Sequence, residues 1–143
     1  MAKYKAILVA VDGSEPSDRA MRHALDQLAA GRGAELHLLN VQPDLGGSIS
    51  AFIAKEVIDS HHREEGNRGL ASALEIAKQA HVTPKVHIGV GRHGAIVSDF
   101  VDKVNAGLVV IGTRGHTGLA GVLLGSVAQD VIAHVNVPVT LVK

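Results

Sequence analysis

Five short segments rich in Val, Ile and Leu recur along the chain: AILVAV (6–11), LHLLNV (36–41), KVHIGV (85–90), LVVIG (108–112) and VPVTLV (137–142). Runs of this length, bounded by turn residues, read as β-strands. The first and fourth are apolar almost throughout, which is what a strand covered by helices on both faces requires. Helical stripes fill the intervals. Met21, Ala24, Leu25, Leu28 and Ala29 share one face, with Gly31 placed to end that helix. Ile96, Val97, Phe100, Val101 and Val104 repeat the pattern before Gly107, and Val127, Val131, Ile132 and Val135 repeat it before the last strand. Strand and helix alternating with short connections predict an α/β fold with a doubly wound, mostly parallel sheet of five strands. The stretch from Pro43 to Ala80 fits this pattern least well. DLGGSIS reads as a surface loop, and Gly66-Asn67-Arg68-Gly69 interrupts a helical segment, so one long helix is expected from about Leu70, preceded by a mobile or partly helical excursion. No internal repeat or linker divides the chain, and 143 residues at 46% hydrophobic content suit one domain, 1–143.

Charge and cysteine content narrow the functional classes. Fourteen Lys plus Arg balance fourteen Asp plus Glu, so there is no basic field of the kind that drives nucleic-acid binding. The chain has no cysteine, which excludes disulfides and thiolate metal sites and fits an intracellular, cytoplasmic home. The six apolar residues Ala6 to Val11 are too few for a signal-peptide core or a membrane span, so the mature protein is expected to begin where the sequence begins, with no membrane insertion.

Open parallel sheets bind ligands beyond the carboxyl ends of their strands, where strand order reverses. Asp12-Gly13-Ser14 follows the first apolar strand and Gly112-Thr113-Arg114-Gly115 the fourth. Three phosphate-loop readings compete there. A P-loop needs a Lys after its second Gly, but Ser126 follows Gly125 and the loop has no Lys. Gly89-Val90-Gly91-Arg92-His93-Gly94 spells G-x-G-x-x-G, but Ile111 and Gly112 stand where a dinucleotide fingerprint needs an acid, which leaves a turn plus helix start. The third is GTRGHTGLAGVLLGS, 112–126. Gly112 permits close backbone approach, Gly115 suits a positive φ, and Gly125-Ser126 opens the last helix, where free N–H groups and the helix dipole favour an anion. Ser126 would cap that helix and offer its hydroxyl to a phosphate oxygen. A plain Gly-rich surface loop with an ordinary Ser cap is the competing reading.

The spacing in GTRGHTGLAGVLLGS matches the G-x2-G-x9-G-S/T motif of the ATP-binding branch of the universal stress protein (UspA-like) family. VDGSE near the start, the strand ending LLNV and the closing GSVAQDVIAHVNVPVTLV resemble the same family, and the likeness is weakest over 44–69. The resemblance implies a Rossmann-like sheet of order 3-2-1-4-5, of adenine nucleotide alpha hydrolase type, and an ATP-binding regulatory or stress-response role. Gly112, Arg114, Gly115, Gly125 and Ser126 would hold ribose and phosphates. Asp12 would face the ribose or a phosphate-bound Mg²⁺, Ala10 and Val41 would form part of the adenine slot, and Ile111 and Val127 would flank the nucleotide. The alternative for Asp12 is an Asx turn at the Asp-Gly step. Many relatives carry a small or apolar residue where His116 stands, and proline is frequent near Arg92-His93. A histidine there would either stay solvated or add a pH-sensitive contact to the loop.

No catalytic residue is expected. Ser14 and Ser126 lack a nucleophile-elbow context, and Arg114 is the loop's only permanent cation, so ATP hydrolysis should be slow at most. The rival classes are an adenylate-chemistry enzyme on the same sheet plan and a nucleotide-free interaction module; against the former, DGSEPS replaces the glycine-serine pyrophosphate loop after strand one. Adjacent His61 and His62 point about 100° apart on a helix. They lack zinc-pair spacing, so they are expected at the surface and no metal site is expected. The final VPVTLVK should be an edge strand, and its pairing with a second copy would make a homodimer, as the resemblance also implies. An unidentified protein partner would complete a regulatory role.

Overall fold

The computed structural model describes residues 2–47, 51–114 and 124–143. Five strands, β1 (Tyr4–Ala10), β2 (Gly33–Gln42), β3 (Lys85–Val90), β4 (Ala106–Gly112) and β5 (Val139–Val142), form one parallel sheet in the order β3-β2-β1-β4-β5. The helices complete among the described residues are α1 (Glu15–Ala29), α2 (Lys55–Gln79), α3 (His93–Val104) and α4 (Ser126–His134). Strand order reverses between β1 and β4, as the doubly wound prediction requires.

Period-two alternation sorts the strand side chains into two layers. Ile7, Val9, Leu36, Leu38, Leu108 and Val110 pack with Met21 and Ala24 of α1 and Leu70 and Ala73 of α2. Ala6, Leu8, Leu39, Val41, Val109 and Ile111 face Val97 and Val101 of α3 and Val131 of α4. The α1 stripe behaves as read, except that Ala29 is exposed. Ser14 caps α1 by accepting from the Ser17 N–H at 3.3 Å, and Gly31, at φ 76°, follows its end. The α4 stripe is narrower than its sequence suggests. Ala128 and Val131 are buried while Val127 and Ile132 are exposed.

The largest correction concerns α2, which runs unbroken from Lys55 through Gly66-Asn67-Arg68-Gly69 to Gln79. These glycines are sites of close packing. A Cβ on Gly66 would run into the Ile88 side chain, and one on Gly69 into the Asn40 amide. The tertiary contact they permit outweighs the helix penalty of about 1 kcal/mol for each glycine. His62 also departs from expectation. It is buried on this helix and donates from Nε2 to the Pro43 carbonyl at 3.1 Å, while His61 is exposed.

A second histidine cluster joins β2 to β3. His37 is buried, its Nε2 lies 3.0 Å from Glu35 and its Nδ1 lies 2.9 Å from His87 Nε2. A carboxylate only accepts, so His37 Nε2–H donates to Glu35, and a neutral His37 then accepts from the His87 N–H. Burial, followed by the charge His37 carries when protonated and those of Lys103 and Lys85, pushes His87 below the ordinary histidine pKa.

Candidate functional site

The carboxyl ends of β1 and β4 lie side by side, with Ala10 in register between Leu39 and Ile111. Val41 stands near the end of β2, and both Val41 and Ile111 are buried. Ala10, Val41 and Ile111 thus share one face of the sheet near the carboxyl ends of the strands.

Asp12 follows β1 in a tight turn. Its Oδ1 accepts from the Ser14 N–H at 2.9 Å, and its own N–H donates to Ser17 Oγ at 3.0 Å. The Asx-turn alternative is thus realised, and it fixes where this carboxylate stands. Gly13 takes φ 83° and sits against the Arg68-Gly69 backbone of α2. Behind the turn, Asn40 is buried, donates from Nδ2 to the Val11 carbonyl at 2.9 Å and accepts from Gln42 Nε2 at 2.6 Å.

Gly112 packs against Pro16, whose backbone carbon and oxygen would stand 3.0 Å from a Cβ at that position. The Thr113 N–H donates to the Val142 carbonyl at 2.9 Å, and the Thr113 carbonyl accepts from the Gly125 N–H at 2.6 Å. The two ends of the glycine-rich stretch therefore meet at one backbone hydrogen bond. Arg114 is exposed at the rim, while Gly115 and His116 lie outside the described residues.

Two details differ from the sequence reading. Gly125 is the N-cap of α4 and Ser126 is its first helical residue, and no side chain caps this end. The Ser126 hydroxyl therefore has no capping role. The Gly125 N–H is also engaged by Thr113, so an anion at this terminus would be met by the amides of the first helical turn, beginning with Ser126 and Val127.

Sequence reasoning named Ser126 and Val127 as site residues but missed the side chains that stand with them, Arg92, His93, Gln129 and Asp130. Arg92, His93, Ser126, Val127, Gln129 and Asp130 line a cavity of about 570 Å³. Gly91, at φ 144°, and Arg92, the extended N-cap, start α3 here, so the G-x-G-x-x-G pattern is a turn and helix start as expected. The N-terminus of α3 is already filled by a carboxylate. Asp130 accepts from the Gly94 N–H at 2.7 Å and lies within ion-pair reach of Arg92 and His134. The Gly94 hydrogen bond, followed by the charges of Arg92, His134 and His93, holds the Asp130 carboxyl below its usual pKa against desolvation. The local hint of this was an acid near the start of the last helix; its partners on α3, Gly94 and Arg92, stand 36 and 38 residues away.

The cavity's size lies within the range of small-molecule sites, about 300–1,000 Å³, and the α4 terminus that lines it suits an anionic group. A family model for the universal stress protein family matches residues 3–143. The chain belongs to the universal stress protein family. Universal stress protein MJ0531 of Methanocaldococcus jannaschii is 34% identical over 98% of this chain and 82% of its own length. A universal stress protein solved in complex with cAMP superposes with TM-score 0.73 at 28% identity, covering 99% of each chain. The Archaeoglobus fulgidus universal stress protein solved in complex with dAMP superposes with TM-score 0.67 at 28% identity, covering 96% of this chain and 97% of that one. Among the described residues, no cluster of three His, Asp or Glu side chains could hold a metal ion, and no helix is long and apolar enough to cross a membrane.

Proposed function

We propose that this universal stress protein is a single-domain, cytoplasmic ATP-binding regulator that holds its nucleotide in the crevice between the β1 and β4 termini. The Thr113–Gly125 hydrogen bond carries the reading, because it brings Gly112 and Arg114 to the N-terminus of α4 at the family spacing. The related structures holding cAMP and dAMP support adenine nucleotides as the ligand class. Ala10 and Val41 would form part of the adenine slot, and Ile111 and Val127 would flank the nucleotide. The Ser126 hydroxyl and the first amides of α4 would donate to phosphate oxygens. Gly115 would complete the phosphate loop. Asp12 would face ribose hydroxyls, since a bare carboxylate repels a triphosphate, or would share a Mg²⁺ held through the phosphates.

Ser126→Ala should weaken ATP binding tenfold to a hundredfold in calorimetry, the loss of one hydrogen bond to a charged group, about 1.5–3 kcal/mol. Parent-like affinity in the variant would sink the site. Nucleotide binding without efficient turnover is the favoured role. Multiple-turnover ATP consumption at an enzyme-like rate would favour the adenylate-chemistry class instead. Absence of any nucleotide released on denaturing the purified protein, together with no ATP binding, would favour an interaction module.

The same reading includes a homodimer. β5 pairs with β4 along one edge and lies at the margin of the sheet, with Leu141 exposed. Such an edge can add a strand from a second copy across a two-fold axis. Val139→Lys with Leu141→Lys should yield monomers by light scattering, and an unchanged dimer would exclude this interface.

A further inference from the structure

We propose that His93 is a further nucleotide-binding residue of this site, donating a ring N–H to the phosphate of a bound nucleoside phosphate from the α3 wall, across the cleft from Ser126. The inference rests on the nucleotide reading above and adds a contact to it. His93 is half-buried and lines the same 570 Å³ cavity as Ser126 and Val127. It is the first residue of α3, directly before Gly94, whose N–H Asp130 occupies.

Its position is held from two sides. The Gly91 turn at φ 144° sets the entry into α3, and the Gly94 N–H to Asp130 bond ties that first turn to α4, the helix that carries Ser126. His93 and Ser126 therefore stand on two helix starts clamped to each other. The charges facing the ring are Asp130 from α4 and Asp12 from the β1–α1 turn. Asp130 is itself engaged by Gly94, Arg92 and His134. Burial is the main influence on the ring and pushes its pKa below the ordinary histidine value, against those two acids, so the ring favours its neutral, single-donor form. A phosphate beside it would accept that N–H and strengthen the bond by its charge.

Calorimetry with adenosine, AMP and ATP on the full chain tests the assignment. His93→Leu should weaken AMP and ATP by about tenfold or more while changing adenosine less than about twofold. His93→Gln, which keeps an N–H donor, should recover part of the loss. An equal loss for adenosine would overturn the proposal by making His93 a packing residue, and unchanged ATP affinity would overturn it outright. Should a variant fold poorly, NMR on the parent decides: the His93 ring resonances should move on adding AMP and hold still on adding adenosine. Their failure to respond to AMP would reject the contact. If ATP binds, and Ser126→Ala weakens it while His93→Leu does not, only this inference falls. If the parent binds none of the three ligands, the nucleotide reading falls with it.

Discussion

Gly94→Ala should unfold about 10 °C below the parent. The new Cβ would stand under 3.0 Å from the Asp130 carbonyl oxygen, the Asp130 carboxyl carbon and His134 Nδ1. A backbone oxygen cannot rotate away, so α3 and α4 must separate and the Gly94–Asp130 bond must lengthen. Overpacking of this kind costs about 1–3 kcal/mol, and loss of a hydrogen bond to a charged group about 1.5–3. Alanine's better helix propensity returns about 1 kcal/mol. The net, about 3 kcal/mol, corresponds to the stated shift at about 2–4 °C per kcal/mol for a chain near this size. Because α4 carries Gly125 and Ser126, nucleotide affinity should fall as well. Thermal unfolding followed by circular dichroism is the check. A melting temperature equal to or above the parent's would mean that Gly94 behaves as an ordinary helical glycine and that α3 and α4 are not clamped there.

The second large effect is expected at Gly69. A Cβ here would overlap the Asn40 amide, which is buried and holds the Val11 carbonyl. Displacing the amide leaves that carbonyl unpaired, at a cost of about 1–3 kcal/mol before any strain in α2 is added. Gly69→Ala should therefore destabilise by about 2–3 kcal/mol in urea titration. It should also weaken nucleotide binding, because Val11 immediately precedes Asp12. Two comparisons bracket the result. At Gly66 the obstacle is the Ile88 side chain, which can turn aside, so the loss should be smaller. At Gly47 a Cβ meets nothing within 4 Å, and Gly47→Ala should be close to neutral. A Gly69→Ala protein as stable as Gly47→Ala would remove the claimed role of Asn40.

Several features of the site were legible because they depend on short stretches of chain. The Asp12–Ser14 hydrogen bond spans two residues, and the glycine spacing over 112–126 puts the α4 terminus at the end of a strand-loop-helix unit. Other features could not be read locally. Gly66 and Gly69 carry a helix-breaking signal whichever way they pack, and only Ile88 and Asn40, on other elements, reveal their purpose. His62 looks solvated until Pro43 supplies a carbonyl. Ser126 reads as a cap from its neighbours, yet the Gly125 N–H bond to Thr113 places the helix start one residue earlier. His93 belonged to a pattern set aside as a dinucleotide fingerprint, and the same turn delivers it to the cleft.

The sequence by itself determined the sheet. Strand hydrophobicity, helical stripes and parallel crossovers predict the doubly wound parallel sheet, and the family resemblance supplied its order, β3-β2-β1-β4-β5. The sequence also determined which loops border the crevice, since those follow from where the apolar strands end. Only the tertiary structure decided which groups face one another across that crevice. Asp130 fills the α3 terminus, Asn40 supports the Asp12 turn, and His93 stands with Ser126 along one cavity. The reason is physical. Periodicity records how each segment is solvated, whereas these contacts join residues tens of positions apart and depend on distances that only packing sets.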